Sequence, residues 1–409
     1  MKKVEGPLLS RLPSRRLWLA AGLLLFPSLV RGGSWNNILV STRPAGMGGA
    51  FAAVPGDPSG IFFNPAGLAG TRSAWIVDVE GCYVRPDHSY RVPGRPEAAS
   101  RRSGVLPQGF AVFRATQRLS IGFGVFLVYA AGGVDWKLED TGLPLKSVMG
   151  IYSFSSAIAY RVSESLSAGF ALNVYRTRLS VTAEMDPFGL VENNETGGAV
   201  SASFGLMARP LSGLSLGLCL KGPAEMKTSG QTSVDLGVFT FRFPSETSFP
   251  LPWDIEAGFS YRAAGRFLVA VSAEYALWSS LKTLDKVFKD VPLMGDVAVS
   301  SAMNYRNILI LRAGMEWALS PAFQARAGFT WDPAAAPEES LNLGNIDVDK
   351  RTLSLGASWR AGRTQIDIAC GYAFGAPRQK RTEEAGSETI ETYDLDVFFL
   401  GVGFRFMRD

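Results

Sequence analysis

From residue 73 to the end of the chain, large apolar residues alternate with small or polar ones in segment after segment. In LSIGFGVFLVY, Ile121, Phe123, Val125, Leu127 and Tyr129 fall on one face. A period of two predicts β-strands, because successive side chains of a strand point to opposite faces. The sequence therefore predicts an all-β fold, although a soluble sandwich and a membrane barrel would both show this alternation.

The connections between these segments favour a barrel. Short links alternate with long polar stretches along the chain. The short links lie at 116–118, 163–164, 210–212, 264–265, 320–321 and 362–363, and the long stretches at 86–104, 131–149, 183–197, 226–249, 280–307, 333–351 and 376–392. This is typical of outer-membrane barrels, with tight periplasmic turns and long outer loops. We expect a transmembrane antiparallel up-and-down β-barrel of about 14 strands over residues 73–409, each strand about 9 to 16 residues long.

The first 33 residues have the layout of an export signal. Lysines and arginines precede the uncharged run LWLAAGLLLFPSLV, which is too short to span a membrane as a helix. We therefore expect residues 1–33 to be a signal peptide that is removed. The segment carries six Lys/Arg and one acidic residue, so the rest of the chain is almost neutral. A nearly neutral chain lacks the excess of positive charge that is typical of nucleic-acid binding proteins.

Residues that carry chemistry are scarce in this chain. The three cysteines, Cys82, Cys219 and Cys370, have neither metal-ligand spacing nor the even number of a disulfide framework, and are interpreted as packing residues. The single histidine, His88, lies in the polar segment RPDHSYRVPGR and is expected to be a solvated loop residue. A barrel enzyme needs a nucleophile beside a base, so we predict no enzyme, no cofactor and no metal site.

The stretch GMGGAFAAVPGDPSGIFFNPAGLAG, residues 46–70, is too apolar for a linker and too rich in glycine and proline for a helix or strand. A barrel of about 14 strands leaves a lumen that something must fill. We predict that residues 34–72 fold irregularly inside it as a plug, because glycine permits unusual turns and proline breaks a strand ladder. The large apolar residues expected to pack against the wall are Phe51, Ile61, Phe62, Phe63 and Leu68.

Three stretches resemble one family. STRPAGMGGAFAAVPGDPSGIFFNPAGLAG resembles the N-terminal hatch of the FadL-like (OMPP1/FadL/TodX) outer-membrane transporters of long-chain fatty acids and other hydrophobic compounds, with Asn64, Pro65 and Ala66 as its Asn-Pro-Ala motif. LPWDIEAGFSYRAAGRFLVAVSAEYALWS is similar to a middle strand pair of that family. RAGFTWDPAAAPEESLNLGNIDVDKRTLSLGASW is similar to one of its outer loops.

The resemblance implies passive uptake. An apolar ligand would be captured by outer loops, pass a hatch at residues 34–72, and leave sideways through the barrel wall into the membrane. Its partners would be the hydrophobic ligand, long-chain fatty acid among the options, and outer-membrane lipid, and the protein would act as a monomer. The hatch sequence is also similar to that of a sub-branch of FadL-like barrels that act as protein-docking or secretion-system components. A continuous apolar tunnel would favour transport, and a sealed lumen would favour docking.

Candidate residues for each step follow from this resemblance. The ligand-binding candidates are Phe51, Phe62 and Phe63 in the hatch, Trp136, Leu143, Phe188 and Leu190 in outer loops, and Arg312 and Arg326 on inward faces. The loop residues would form a capture groove or pack on one another. The arginines would pair with a carboxylate headgroup or stiffen the wall by ion pairs. Gly132 and Gly133 would mark the lateral gap or a plain turn.

Overall fold

The structure, a computed structural model, describes residues 39–408 apart from 138–140, 142–143, 186–188, 238, 293 and 385–386. The predicted signal peptide, residues 1–33, lies outside the described residues. No helix among the described residues combines the length and the apolar character needed to cross a membrane.

The described strands form one closed antiparallel sheet. They are β1 (Trp75–Arg91), β2 (Ala98–Arg101), β3 (Gly104–Arg114), β4 (Leu119–Trp136), β5 (Leu145–Arg161), β6 (Leu166–Met185), β7 (Gly189–Leu211), β8 (Leu214–Lys221), β9 (Ala224–Asp235), β10 (Thr240–Leu251), β11 (Asp254–Ala263), β12 (Phe267–Ala276), β13 (Thr283–Val291), β14 (Gly295–Ala302), β15 (Ile308–Ala318), β16 (Phe323–Asp332), β17 (Asp349–Ala361), β18 (Thr364–Ala376), β19 (Arg378–Glu384) and β20 (Ser387–Arg408). Six crossings are interrupted, at β2/β3, β8/β9, β10/β11, β12/β13, β14/β15 and β18/β19. Within the described residues the sheet therefore crosses 14 times, and β1 pairs with β20 from Trp75↔Arg408 to Arg91↔Thr392, which closes the barrel.

The predicted short links are the tight turns at one end of the barrel, called here the short-turn end. At the other end the strands run further than the sequence predicts: β7 has 23 residues and β20 has 22. Much of the polar sequence assigned to long loops is paired strand, as in β9 with β10. Polar side chains there reflect water on both faces of the sheet and do not mean that strand pairing has ended.

The two faces of the barrel have the predicted polarity. Phe404, on the last strand, is exposed, whereas the adjacent Arg405 is buried. Trp317 and Trp359, beside short turns, are exposed on the outer face. A lipid-facing apolar exterior around a polar interior is the arrangement expected of a transmembrane barrel.

Residues 39–72, called here the N-terminal segment, lie inside this polar interior. The segment contains α1 (Thr42–Ala45), α2 (Gly60–Phe63) and a 3₁₀ turn over Pro65–Gly70. Two further 3₁₀ turns, Trp278–Ser280 and Glu338–Ser340, lie between strands. Phe51, Ile61 and Leu68 are buried in the same apolar cluster as residues of the wall. Close packing of this kind accounts for a segment that is apolar yet irregular.

Strand pairing is incomplete between β3 and β4. The two strands pair only from Gly109↔Val125 to Arg114↔Ser120. Beyond that point the described residues of β3 pair with β1 alone, as far as Val84↔Gly104. β4 continues beside β5 as far as Trp136↔Leu145, with irregularities at Leu127/Tyr129 and at Gly132/Val134.

The first irregularity corrects the faces assigned to β4. The alternation predicts that Leu127 and Tyr129 share a face with Phe123, but both are buried whereas Phe123 is exposed. The hydroxyl of Tyr129 donates to Asp254 Oδ2 across the lumen, at 3.2 Å. One extra residue in a strand moves every later side chain to the opposite face, which a strict period of two cannot anticipate.

Candidate functional site

A cavity of about 480 Å³ lies inside the wall where β3 and β4 separate. Its lining includes Leu106 of β3 and Leu127 and Ala131 of β4, so it borders the unpaired stretch from both sides. Leu39 of the N-terminal segment and Phe399 of β20 form other parts of the lining. Its volume lies within the range of about 300 to 1,000 Å³ that is typical of small-molecule sites.

Gly132 and Gly133 line this cavity at the second irregularity of β4. Their φ angles are 73° and 75°, in the region that favours glycine. A Cβ on Gly132 would lie 2.7 Å from the carbonyl oxygen of Ser147, so a larger residue would displace the neighbouring strand. The two glycines therefore let β4 bend while it stays paired with β5.

Seven described residues with polar side chains line the otherwise mainly apolar cavity: His88, Arg102, Ser103, Tyr152, Asp332, Lys350 and Thr352. Lys350 is held by Asp332, with Nζ 3.3 Å from the carboxylate. Arg102 is exposed, and no ion pair joins it to another described residue. His88 is buried, and its Nδ1 has no hydrogen-bond partner among the described atoms. A ligand here would meet an apolar surface with a few polar contacts.

The burial of His88 corrects the prediction of a solvated loop histidine. The polar segment around it is the outer half of β1, paired with β20 and β2. His88 faces inward there, with its ring 6.5 Å from that of Trp136. Polar neighbours in a strand with water on one face do not make every side chain exposed.

The Asn-Pro-Ala stretch of the N-terminal segment is held tightly. Asn64 Oδ1 accepts a hydrogen bond from the backbone N–H of Ala66 at 3.1 Å, and Pro65 begins the 3₁₀ turn. Asn64 Nδ2 donates to the carbonyl of Ala52 and to that of Leu206 in the wall. One side chain thus joins two parts of the segment and the barrel.

Glycines of the wall leave room for this stretch. A Cβ on Gly169 would meet the backbone of Pro65 and Ala66, and one on Gly205 would meet Asn64 Oδ1. Both glycines face inward on neighbouring strands, in register at Gly169↔Gly205. The segment and the wall therefore approach each other at backbone distance.

Buried ion pairs fix the same segment near the short-turn end. Asp57 accepts from Arg43 Nη1 and from Arg405 Nη2, both at 2.9 Å, and Arg43 also binds Glu316. Burial opposes ionisation of Asp57, but the charges of Arg405 and Arg43 and hydrogen bonds from Ser59 hold its pKa well below the usual range. The carboxylate is therefore charged at neutral pH.

The two inward arginines proposed for a ligand carboxylate are already bound. Arg312 Nη1 lies 2.8 Å from Glu274 and 3.4 Å from Glu256. Arg326 binds Glu316 and Asp367, each at 2.9 Å. Both lie outside the lining of the cavity. These pairs match the alternative reading, in which inward charges stiffen the wall.

The other candidates are spread over the barrel. Phe51 and Phe62 each pack against Phe63, with ring centroids 5.7 and 4.9 Å apart. Trp136 was predicted in an outer loop, but it ends β4 and is buried, with Nε1 donating to the carbonyl of Leu343. Leu190 is exposed near the start of β7. Leu143 and Phe188 lie outside the described residues. Of the predicted site residues that the structure describes, only Gly132 and Gly133 line the cavity.

The protein family was identified by comparison with known proteins. The model of the outer membrane protein transport protein family (OMPP1/FadL/TodX) matches residues 38–405. Outer membrane protein P1 of Haemophilus influenzae is 22% identical over 262 residues, which cover 64% of this chain and 53% of that protein. The chain thus spans about half the length of that relative.

Solved structures show the same fold. A Pseudomonas aeruginosa FadL homologue superposes with a TM-score of 0.79 at 17% identity, covering 93% of this chain and all of the other. The Pseudomonas putida toluene transporter TodX gives a TM-score of 0.72 at 14% identity, covering 93% and 99%. Together with the family match, the closed barrel leads to one conclusion. The chain belongs to the OMPP1/FadL/TodX family of outer-membrane transport proteins and is a protein of the outer membrane.

Proposed function

We propose that the protein takes up long-chain fatty acids or similar hydrophobic small molecules passively across the outer membrane, with sideways exit between β3 and β4. The observation that carries the proposal is the apolar cavity bordered by both strands where their pairing ends. Leu106 and Leu127 line the cavity on either side of the unpaired stretch, so a molecule that left between them would reach the lipid. Hydrophobic ligands gain about 25 cal/mol for each Å² of apolar surface that stays out of water.

In this proposal the N-terminal segment is the hatch predicted over residues 34–72. It occupies the lumen and contacts the cavity at Leu39. Its hydrogen bonds and ion pairs to the wall would keep water-soluble molecules from crossing, while the ligand leaves through the wall. The protein would act as a monomer, because the proposed route lies within one barrel. The apolar cavity favours transport over a protein-docking role.

The polar part of the cavity lining supports a fatty acid as the ligand. The guanidinium of Arg102 lies at an exposed position and has no carboxylate partner among the described residues, so it is available to a ligand carboxylate. His88 Nδ1 offers a further polar contact. A hydrocarbon would use the apolar lining alone, which agrees with the name of the toluene transporter among the structural relatives.

Filling the cavity tests this proposal. Ala131→Phe places a large side chain in the lining, and Ala257→Phe places the same side chain on the exposed outer face of β11. Uptake of a radiolabelled long-chain fatty acid and of toluene is measured in cells with matched amounts of folded barrel. We expect Ala131→Phe to abolish most uptake and Ala257→Phe to leave it unchanged. Equal uptake by both variants would contradict the proposal.

A further inference from the structure

A second cavity, of about 800 Å³, lies at the short-turn end of the barrel. Its described lining contains six arginines and two glutamates, and no lysine or aspartate. Residues of the N-terminal segment, including Pro55 and Arg72, form one side, and turns of the barrel form the other. The cavity is therefore strongly positive, and all its cations are of the type that binds planar or tetrahedral oxyanions with two N–H groups.

Half of these arginines are already neutralised. Arg43 and Arg405 bind Asp57, and Arg262 Nη2 lies 3.2 Å from Glu316. Arg72 and Arg209 differ, because neither makes a side-chain hydrogen bond or an ion pair with any residue that the structure describes. They supply charge that the fold itself does not compensate.

A third arginine, Arg161, lies close to Arg209 but outside the lining of the cavity. Arg161 Nη2 donates to the carbonyl of Ala69 at 2.9 Å, but its Nε is buried and has no partner within the described part of the chain. Arg209 interacts electrostatically with Arg161, Arg72 and Glu164. Three cations thus share one carboxylate, and the cluster keeps an excess of two positive charges.

We propose that Arg72, Arg161 and Arg209 form a site for a doubly charged group of the phosphate class. Arg72 follows the last turn of the N-terminal segment, Arg161 ends β5 and Arg209 lies near the end of β7, so the bound group would join segment and barrel. A free phosphate monoester and the phosphomonoester headgroup of phosphatidic acid present the same oxygens. The site does not depend on the hydrophobic cavity or on uptake through it.

The proposal predicts that the double substitution changes the melting temperature in opposite directions relative to the wild type with and without phosphate. Without phosphate the three guanidiniums repel one another, so removing two of them relieves repulsion and raises the melting temperature. With phosphate the wild-type protein gains stability as ligand binds to the folded state, and the variant does not. A purely structural role would lower the melting temperature of the variant under both conditions.

The experiment compares the wild type, Arg72→Gln/Arg209→Gln and the control Arg118→Gln. Arg118 is exposed in the turn at 116–118, outside the cavity. Thermal unfolding in neutral detergent at pH 8 is followed against inorganic phosphate, with sodium chloride matching the ionic strength. We expect the affinity for phosphate to be at least about a hundredfold weaker in the double variant, since it loses two charge-assisted hydrogen bonds of about 1.5 to 3 kcal/mol each, and unchanged in the control.

Lipid nanodiscs without added phosphate identify the source of the group. A stabilisation by phosphatidic acid, whose phosphomonoester can carry two charges, over phosphatidylcholine that the double variant lacks would assign a lipid headgroup, and a response to phosphate alone would assign a free compound. Equal responses of the double variant and wild type to both probes would overturn the proposal. Stabilisation of the wild type by a polyglutamate peptide, with no response to either phosphate source, would replace it with an acidic protein partner.

Discussion

Asp57→Asn should loosen the N-terminal segment while the barrel remains folded. Asp57 is fully buried and bridges Arg43 of the segment and Arg405 of β20, with both N–O distances 2.9 Å. Removing one member of a buried ion pair costs about 3 to 5 kcal/mol. Both arginines keep a second carboxylate, Glu316 and Asp78, so we expect a cost of about 3 kcal/mol, at the lower end of that range.

At about 1.4 kcal/mol for each factor of ten, that cost raises the population of the displaced segment roughly a hundredfold. The assay is conductance of the purified protein in a planar bilayer, where displacement of the segment opens a water-filled path. Asp57→Asn should show channel openings about a hundred times more often than the wild type. Asp296→Asn is the matched control, because Asp296 forms an exposed pair with Lys289, and ion pairs in water contribute little to stability.

The pKa of Asp57 determines how its contribution to holding the N-terminal segment depends on pH. Because the pKa of folded Asp57 is lowered, its contribution is complete above the ordinary aspartate pKa of about 4 and is lost only as pH falls below it. The increase in openings caused by Asp57→Asn should therefore be the same at pH 5 and at pH 8. Asp57→Asn openings no more frequent than those of Asp296→Asn would refute the view that this ion pair holds the segment in the lumen.

Three more expectations concern the wall, the faces and the ligand. Gly205→Ala should increase leakage of small sugars into proteoliposomes, because its Cβ meets the N-terminal segment, whereas Gly81→Ala has only an ordinary contact at 3.8 Å and should not; equal leakage would argue against close docking. Cys370, half-exposed on the outer face, should react with lipid-soluble maleimides in membranes, and buried Cys219 should not; the reverse would invert the assigned faces. Arg102→Gln should lower fatty-acid uptake severalfold and leave toluene uptake unchanged, and an equal fall in both would remove carboxylate recognition.

The barrel itself was predictable from local pattern. Alternation in segments such as DVFFLGVGFRF and the alternating connection lengths define an even-stranded transmembrane sheet, and the structure confirms about 14 crossings. Strand ends were not predictable, since the outer half of β1 carries polar residues and still pairs with β20. The hydrophobic pattern marks only the part of each strand that lies in the membrane, whereas strand pairing continues beyond it into water.

Most of the candidate cavity could not be predicted from the sequence. It combines Leu39, Leu106, Leu127 and Phe399, which no local motif connects. Its position depends on where β3 stops pairing with β4, and the bulge at Leu127/Tyr129 reverses the faces that simple alternation assigns. The adjacent glycines of β4 were the only local signal, because they permit the positive φ angles found there.

The contact between the barrel wall and the N-terminal segment could in part be predicted from the sequence. Inward positions on several strands carry glycine. Gly169 and Gly205 face the Asn-Pro-Ala stretch, and Gly314 and Gly328 face Met47. Such glycines weaken strands, so their recurrence on one face indicates close backbone contact. These glycines could have identified the part of the wall that the N-terminal segment contacts.

The path of the ligand is the central claim, and photoaffinity labelling tests it most directly. A diazirine-bearing fatty acid is added to the intact protein in lipid bilayers, irradiated, and located by mass spectrometry of peptides. The account predicts labels on both sides of the unpaired stretch, at Leu106 of β3 and at Leu127 or Ala131 of β4. Labels confined to the short-turn mouth, at Ser260 or Gln324, would mean that the ligand passes along the lumen, and would contradict sideways exit.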